Sequence, residues 1–201
     1  GDKFNFPYKL YSLNTELIER VLNTFRATNK NLGVLFTGIR GTSKSVTCEI
    51  IANKIGQPVI VIGKYIPNLQ SFLSNIAQNL TIFFDEFEKV YQSPEDEIDR
   101  QAELLTILDG AHSSSNPFRR LFLFTTNGDN INVNLTQRPS RIRYKVKFSN
   151  LSLDATKEII EDLLVNKSHV RNILAFIAEL ELVTIDIVKE IVNEVNIHDN
   201  S

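Results

Sequence analysis

The sequence predicts an α/β fold: a five-stranded parallel sheet sandwiched by helices and followed by a small all-helical lid. Three observations carry that prediction. Short continuous apolar runs (Leu32 to Thr37, Pro58 to Ile62, Thr81 to Phe84, Leu121 to Thr125) alternate with stretches whose apolar residues recur at helical spacing, the pattern of parallel strands covered on both faces. The first run passes through a glycine-bearing loop, Gly38-Ile39-Arg40-Gly41-Thr42-Ser43-Lys44-Ser45, directly into a helical pattern. From Ser149 onward the chain reads as helix alone. The expected domains are therefore residues 1–148, an α/β domain, and 149–201, the helical lid.

Composition bounds what such a chain does. With 201 residues, 42% hydrophobic and 23% charged, it has enough apolar surface for a substantial core. A net charge of −2 and a pI near 6.0 provide no overall basic footprint for duplex nucleic acid, leaving only a local patch for that role. No apolar run reaches the length of about 20 residues that spans a bilayer, and no signal-peptide pattern opens the chain, so the expected location is cytoplasmic. Cys48, the one cysteine, excludes an internal disulfide and reads as a small buried hydrophobe rather than a nucleophile. His112, His169 and His198 fit no zinc spacing. Methionine is absent even at position 1, and the expectation is a further N-terminal domain upstream of Gly1.

The elements follow in order. Residues 2–13, with Phe4, Phe6, Tyr8, Tyr11 and Pro7, read as an extended aromatic segment that packs on a core or lines a base pocket. A helix from Asn14 or Thr15 to Ala27 carries Leu17, Ile18, Val21, Leu22 and Phe25 on one face. The loop strand comes next, then a helix to Ile55 with Val46, Ile50, Ile51 and Ile55 inward. A strand Pro58 to Ile62 precedes a helix Leu69 to Gln78 with Leu69, Phe72, Leu73 and Ile76 inward. The third strand, Thr81 to Glu86, ends in two carboxylates. An acidic loop at residues 91–99 leads to a helix at about residues 99–109, then the loop Ser113 to Pro117, a strand Leu121 to Thr125, and a last strand Arg143 to Phe148. Three helices close the chain, at about residues 153–165 after Ser152, 169–179 after Ser168 and 184–195 after Val183.

Several of these strings carry chemistry. A strand–loop–helix octet written G-x-x-x-x-G-K-[ST] turns successive backbone N–H groups and a helix N-terminus toward one point, a cradle for polyphosphate. Lys44 would reach the β- and γ-phosphates and the Ser45 hydroxyl would ligate Mg²⁺. Ser43 stands where the second glycine belongs, at a cost of about 1–2 kcal/mol if that position needs positive φ. A polar turn at a helix start is the plainer reading of the same octet. At the carboxyl end of the third strand, where open α/β sheets bind ligands, Asp85 is placed to hold Mg²⁺ through water. Glu86 beside it is placed to take a proton from water attacking the γ-phosphate. Asn127, after the fourth strand, orients that water, touches the γ-phosphate, or only forms the turn before Gly128.

In this order the pieces resemble the AAA+ ATPases, and within them the AAA clade. Gly38 to Ser45 matches Walker A apart from Ser43, and Phe83-Phe84-Asp85-Glu86 matches Walker B. Leu104 to Gly110 resembles the leucine-rich helix ending in Asp-Gly, Thr125-Thr126-Asn127 resembles sensor 1, and Arg138-Pro139-Ser140-Arg141 resembles the paired arginine-finger motif. The resemblance implies a P-loop NTPase fold, ATP and Mg²⁺ as cofactors, and self-association into a ring, usually a hexamer. In such a ring Arg138 and Arg141 reach the γ-phosphate bound to a neighbour. It implies Mg²⁺-dependent ATP hydrolysis coupled to remodelling of a macromolecule, a protein substrate or adaptor engaged through the upstream region. A DNA replication accessory ATPase of helicase or clamp-loader type, or a nucleotide-binding scaffold with weak turnover, are the alternatives. Two departures limit the likeness. The span from Gly63 to Leu80 is short, leaving Lys64-Tyr65-Ile66 as the remnant of a pore loop, and Thr184-Ile185-Asp186 carries no sensor 2 arginine, an absence common in the AAA clade that fits helicase loaders or initiators less well.

Overall fold

A computed structural model describes residues 2–90, 97–110, 116–128 and 141–199. Arg138-Pro139-Ser140 and residues 113–115 of the Ser113 to Pro117 loop lie outside these residues, as does most of the acidic loop. The chain divides into two compact units. The first takes Gly1–Asn5, Asn14–Gly38 and Lys44–Lys147, and the second takes Phe6–Leu13, Ile39–Ser43 and Phe148–Ser201.

The first unit is built on a five-stranded parallel sheet: β1 (Leu32–Gly38), β2 (Val59–Ile62), β3 (Leu80–Phe84), β4 (Arg120–Thr126) and β5 (Tyr144–Phe148). Their order across the sheet is β2-β3-β4-β1-β5, so β4 inserts between β3 and β1. Every residue of β1, β3 and β4 is buried, which is why these segments read as unbroken apolar runs. Edge strand β2 leaves Val61 half exposed. Phe84 pairs with Phe124 in register, their rings stacked at 4.9 Å, and Leu35, Phe122, Leu104 and Leu108 complete this core. Gly33 in β1 allows a close crossing: a Cβ there would stand 1.9 Å from the Arg141 carbonyl oxygen, and the Gly33 carbonyl accepts the Arg143 N–H at 2.9 Å.

Helix α1 (Thr15–Ala27) starts where expected, with the Asn14 side chain accepting the Leu17 N–H at 3.0 Å. Helix α2 (Lys44–Ile55) buries Lys44, Thr47, Cys48, Ile51 and Ala52. Its inward face is therefore rotated from the expected one, and Val46, Ile50 and Ile55 sit at the margin. Burial raises the Cys48 thiol pKa well above its ordinary value, in keeping with an inert packing role. Helix α3 (Leu69–Ser74) is shorter than the expected Leu69 to Gln78. Beyond its end, the carbonyls of Ile76 and Gln78 accept the guanidinium of Arg120. The shortened helix buries Leu69 and Leu73, while Phe72 is exposed. Helix α4 (Glu97–Gly110) puts Leu104 and Leu108 fully inside.

The second unit holds α5 (Leu153–Leu163), α6 (Val170–Ala178) and α7 (Ile185–Asp199). Ser152 caps α5 by accepting the Ala155 N–H. Asn166, rather than Ser168, caps the short turn leading into α6. Thr184 accepts the Ile187 N–H at the start of α7. Their core of Ile159, Ile160, Ile173, Val188 and Val192 includes Tyr11. Of the aromatic N-terminal segment Tyr11 packs on this core while Tyr8 is exposed: the Tyr11 hydroxyl donates to Asp162 at 3.1 Å, and Lys9 pairs with Asp162 and Glu158. Among the described residues no helix is long and apolar enough to cross a membrane.

Candidate functional site

The fold brings four of the expected residues together at the carboxyl ends of β1, β3 and β4. Register explains it: Phe84 lies opposite Phe124, so Asp85 emerges beside Thr125, which faces Phe36 of β1. The Asp85 carboxylate oxygen Oδ1 accepts the Ser45 hydroxyl at 2.7 Å and the Thr125 hydroxyl at 2.8 Å. The Thr125 oxygen in turn accepts the Glu86 N–H at 2.8 Å. Glu86 sits in the left-handed region, φ +50°, which swings its side chain back toward β4. There its Oε1 accepts the Asn127 side-chain amide at 3.0 Å. The result is a line of hydroxyl, carboxylate and amide groups across three strand ends.

The octet adopts the conformation its glycines suggest. Gly38, Gly41 and Ser43 have φ of +132°, +79° and +68°, so the position where serine replaces glycine is indeed left-handed and carries the strain expected of a side chain there. Thr42 closes the turn by donating its hydroxyl to the Ile39 carbonyl at 2.6 Å. A Cβ at Gly41 would meet Asp186 Oδ2 at 3.0 Å and Thr184 Oγ1 at 3.3 Å, a tight fit within the second unit that adds to the demand its positive φ makes for glycine. Arg40 is exposed on the loop. Lys44, buried to 5% exposure, donates to the Gly38 carbonyl at 2.7 Å. An ammonium in that setting is tied to the loop backbone rather than extended into solvent. Also on α2, Glu49 has its carboxyl raised by burial first and by the Asp85 charge second.

Arg141 makes a two-pronged pair with Asp109 of α4, at 2.8 and 2.6 Å, and Asp109 raises the guanidinium pKa. Arg138 lies outside the described residues. Three residues at the strand ends were given no role of their own by sequence reasoning. Thr125 bridges Asp85 and the Glu86 backbone. Glu88 accepts the Asn127 N–H at 2.9 Å through Oε1, its other oxygen buried without a hydrogen-bond partner. Lys89 pairs with Glu86. Thr125 had a signal, a hydroxyl closing an otherwise apolar strand beside the carboxylates. Glu88 and Lys89 had none beyond their nearness to Glu86.

No curated protein matches by sequence. Two solved structures from Thermotoga maritima are similar in fold. One is a single-residue variant of RuvB, with a TM-score of 0.58 and 15% identity over 82% of this chain. The other is the RuvB Holliday junction branch migration motor, with a TM-score of 0.55 and 16% identity over 81%. The chain spans 56% of the length of each. A family model described as the ATPase family associated with various cellular activities (AAA) matches residues 34–150, more than half of the sequence and all of the strand ends just described. The chain belongs to that AAA family of ATPases.

Proposed function

We propose that this chain is an Mg²⁺-dependent ATP-hydrolysing module acting at the carboxyl edge of its sheet. The observation that carries the proposal is the junction of Ser45, Asp85 and Thr125 at 2.7 and 2.8 Å, with Glu86 and Asn127 paired at 3.0 Å beside it. Hydroxyl and carboxylate oxygens are the donors a hard divalent cation takes. Among the described residues no group of three or more His, Cys, Asp and Glu converges, so phosphate and water oxygens would complete the shell. Ser45 and Asp85 would hold Mg²⁺ there, and it would supply charge neutralisation to the phosphates.

The chain's own groups do the rest. Gly38 to Ser45 offers backbone N–H donors at the start of α2, and Lys44 places a fixed positive charge on the β- and γ-phosphates. Glu86 accepts a proton from the attacking water, and Asn127, by donating to Glu86 Oε1, holds that carboxylate in one orientation. Arg138 and Arg141 act in trans within a ring, hexameric in this reading, where such a cation is worth on the order of 10³–10⁵ in rate. Residues 149–201 act as the lid on residues 1–148. The cycle acts in the cytoplasm on a protein partner, since the net charge of −2 does not favour a polyanion. The likeness to a branch migration motor keeps DNA as the second reading.

The test is ATP binding and turnover measured against protein concentration, with and without single-stranded DNA. Glu86→Gln should lower turnover by about 10²-fold or more while ATP stays bound, and Lys44→Ala should lose binding. Full hydrolysis by Glu86→Gln, or unchanged affinity in Lys44→Ala, would remove the proposal. Stimulation by DNA would transfer the partner assignment to nucleic acid.

A further inference from the structure

Immediately after the carboxylates the chain makes a single 3₁₀ turn, Phe87–Lys89. Its conformation is set from both sides. Phe87 is buried edge-on to Phe124 at 6.0 Å, and Val90 is 2% exposed. The Lys89 N–H bonds the Glu86 carbonyl at 2.9 Å, and the Val90 N–H bonds the Phe87 carbonyl at 3.0 Å. With the backbone so anchored, the Lys89 ammonium meets Glu86 Oε2 while the Asn127 amide meets Oε1. Both oxygens of one carboxylate are therefore engaged by donors, one of them cationic.

An exposed ion pair three residues apart adds little to stability, and the Lys89 side chain is 51% exposed against 25% for Glu86. The chemical consequence is larger. A charge-assisted hydrogen bond from the ammonium occupies the lone pairs of Oε2 and holds them away from water. We infer that Lys89 is a positioning latch on Glu86: in this conformation it restrains the general base, and turnover requires the ammonium to leave Oε2. The inference rests on the assignment of Glu86 as that base. It assigns Lys89 a role in rate rather than in nucleotide affinity, because its contact is with the carboxylate alone and Ser45, Asp85 and Thr125 keep their hydrogen bonds without it.

Steady-state hydrolysis and nucleotide affinity of the full chain decide the matter, compared among the parent, Lys89→Gln and Lys89→Arg. Lys89→Gln should raise kcat by about threefold to tenfold, the size expected from freeing a restrained base, with the dissociation constant for ATP unchanged. Lys89→Arg, which keeps the pair, should retain the parental rate. A structural role alone would not separate kcat from affinity or be rescued by arginine. If Lys89→Gln leaves kcat unchanged or lowers it while ATP still binds in a Lys44-dependent manner, the latch is wrong and the ATPase reading stands. If the parent binds no ATP, both are lost.

Discussion

The two ends of one sheet use polar residues in opposite ways. At the amino ends of β1, β3 and β4, side chains are committed to the backbone. Asn31 accepts the Arg120 N–H at 2.7 Å and Asn79 the Arg119 N–H at 2.8 Å. The Arg120 guanidinium donates to the carbonyls of Gln78 and Ile76, and that of Arg119 to the carbonyl of Phe25 while lying 4.0 Å from the Phe25 ring. At the carboxyl ends, Ser45, Asp85, Thr125, Glu86 and Asn127 bond mainly to one another. Polar groups bonded to the main chain fasten connections. Groups paired among themselves can exchange partners with a ligand, since each contact they lose is replaceable by a phosphate, a cation or water.

That contrast predicts which end loses stability and which loses chemistry. Arg120, 2% exposed and lowered in pKa by its burial, is the severest test. Arg120→Met should remove two charged hydrogen bonds, to the carbonyls of Gln78 and Ile76, and destabilise the fold by about 2–4 kcal/mol, a fall of roughly 5–10 °C in Tm. Hydrolysis per folded molecule should be unchanged. A large drop in kcat at a temperature where the variant remains folded would break the division between the ends.

Thr125→Val is the matching probe at the carboxyl end. It keeps shape, but takes one of two hydroxyl donors from Asp85 and leaves the Glu86 N–H without its acceptor, a loss of about 1–3 kcal/mol in stability. Here kcat should fall further than nucleotide affinity, because the Glu86 backbone is what the hydroxyl positions. Thr125→Ser should restore much of the rate. Equal losses in kcat and affinity would mean that Thr125 only props the cation ligand Asp85.

How far each end was legible in the sequence follows from the same difference. Continuous apolar runs announced the strands, and Asn14 and Ser152 announced helix starts, because these signals are local. The octet and the Asp85–Glu86 pair stand out because their chemistry is confined to consecutive residues. Thr125 gains its role from the register of β4 against β1 and β3, Glu88 from the left-handed turn at Glu86, and Arg120 from carbonyls more than 40 residues upstream. None of those pairings is written in spacing. Local periodicity likewise favoured a longer α3 than the Leu69–Ser74 helix that forms. The rotated face of α2 is another such case, since burying Lys44 against the loop sets the helix's orientation ahead of its isoleucines.

The smallest predicted effect concerns the electrostatic penalty at the carboxyl end. Glu49 on α2 has its carboxyl held above the ordinary 4.5, by burial and then by the Asp85 charge. A raised carboxyl pKa in the folded state means that the folded chain holds the proton longer than the unfolded one as pH climbs. Stability from this group is then lost as pH rises from 4.5 through the folded pKa, and the penalty is complete at neutral pH. Glu49→Gln removes it, so the variant should be slightly more stable than the parent near neutrality. That advantage should fade toward about pH 4, where both forms are largely uncharged at this position. Denaturant unfolding at the two pH values measures the difference, and Asp85→Asn should shrink it by removing the like charge. An advantage independent of pH would attribute the effect to packing and leave the carboxyl end no more strained than the amino end.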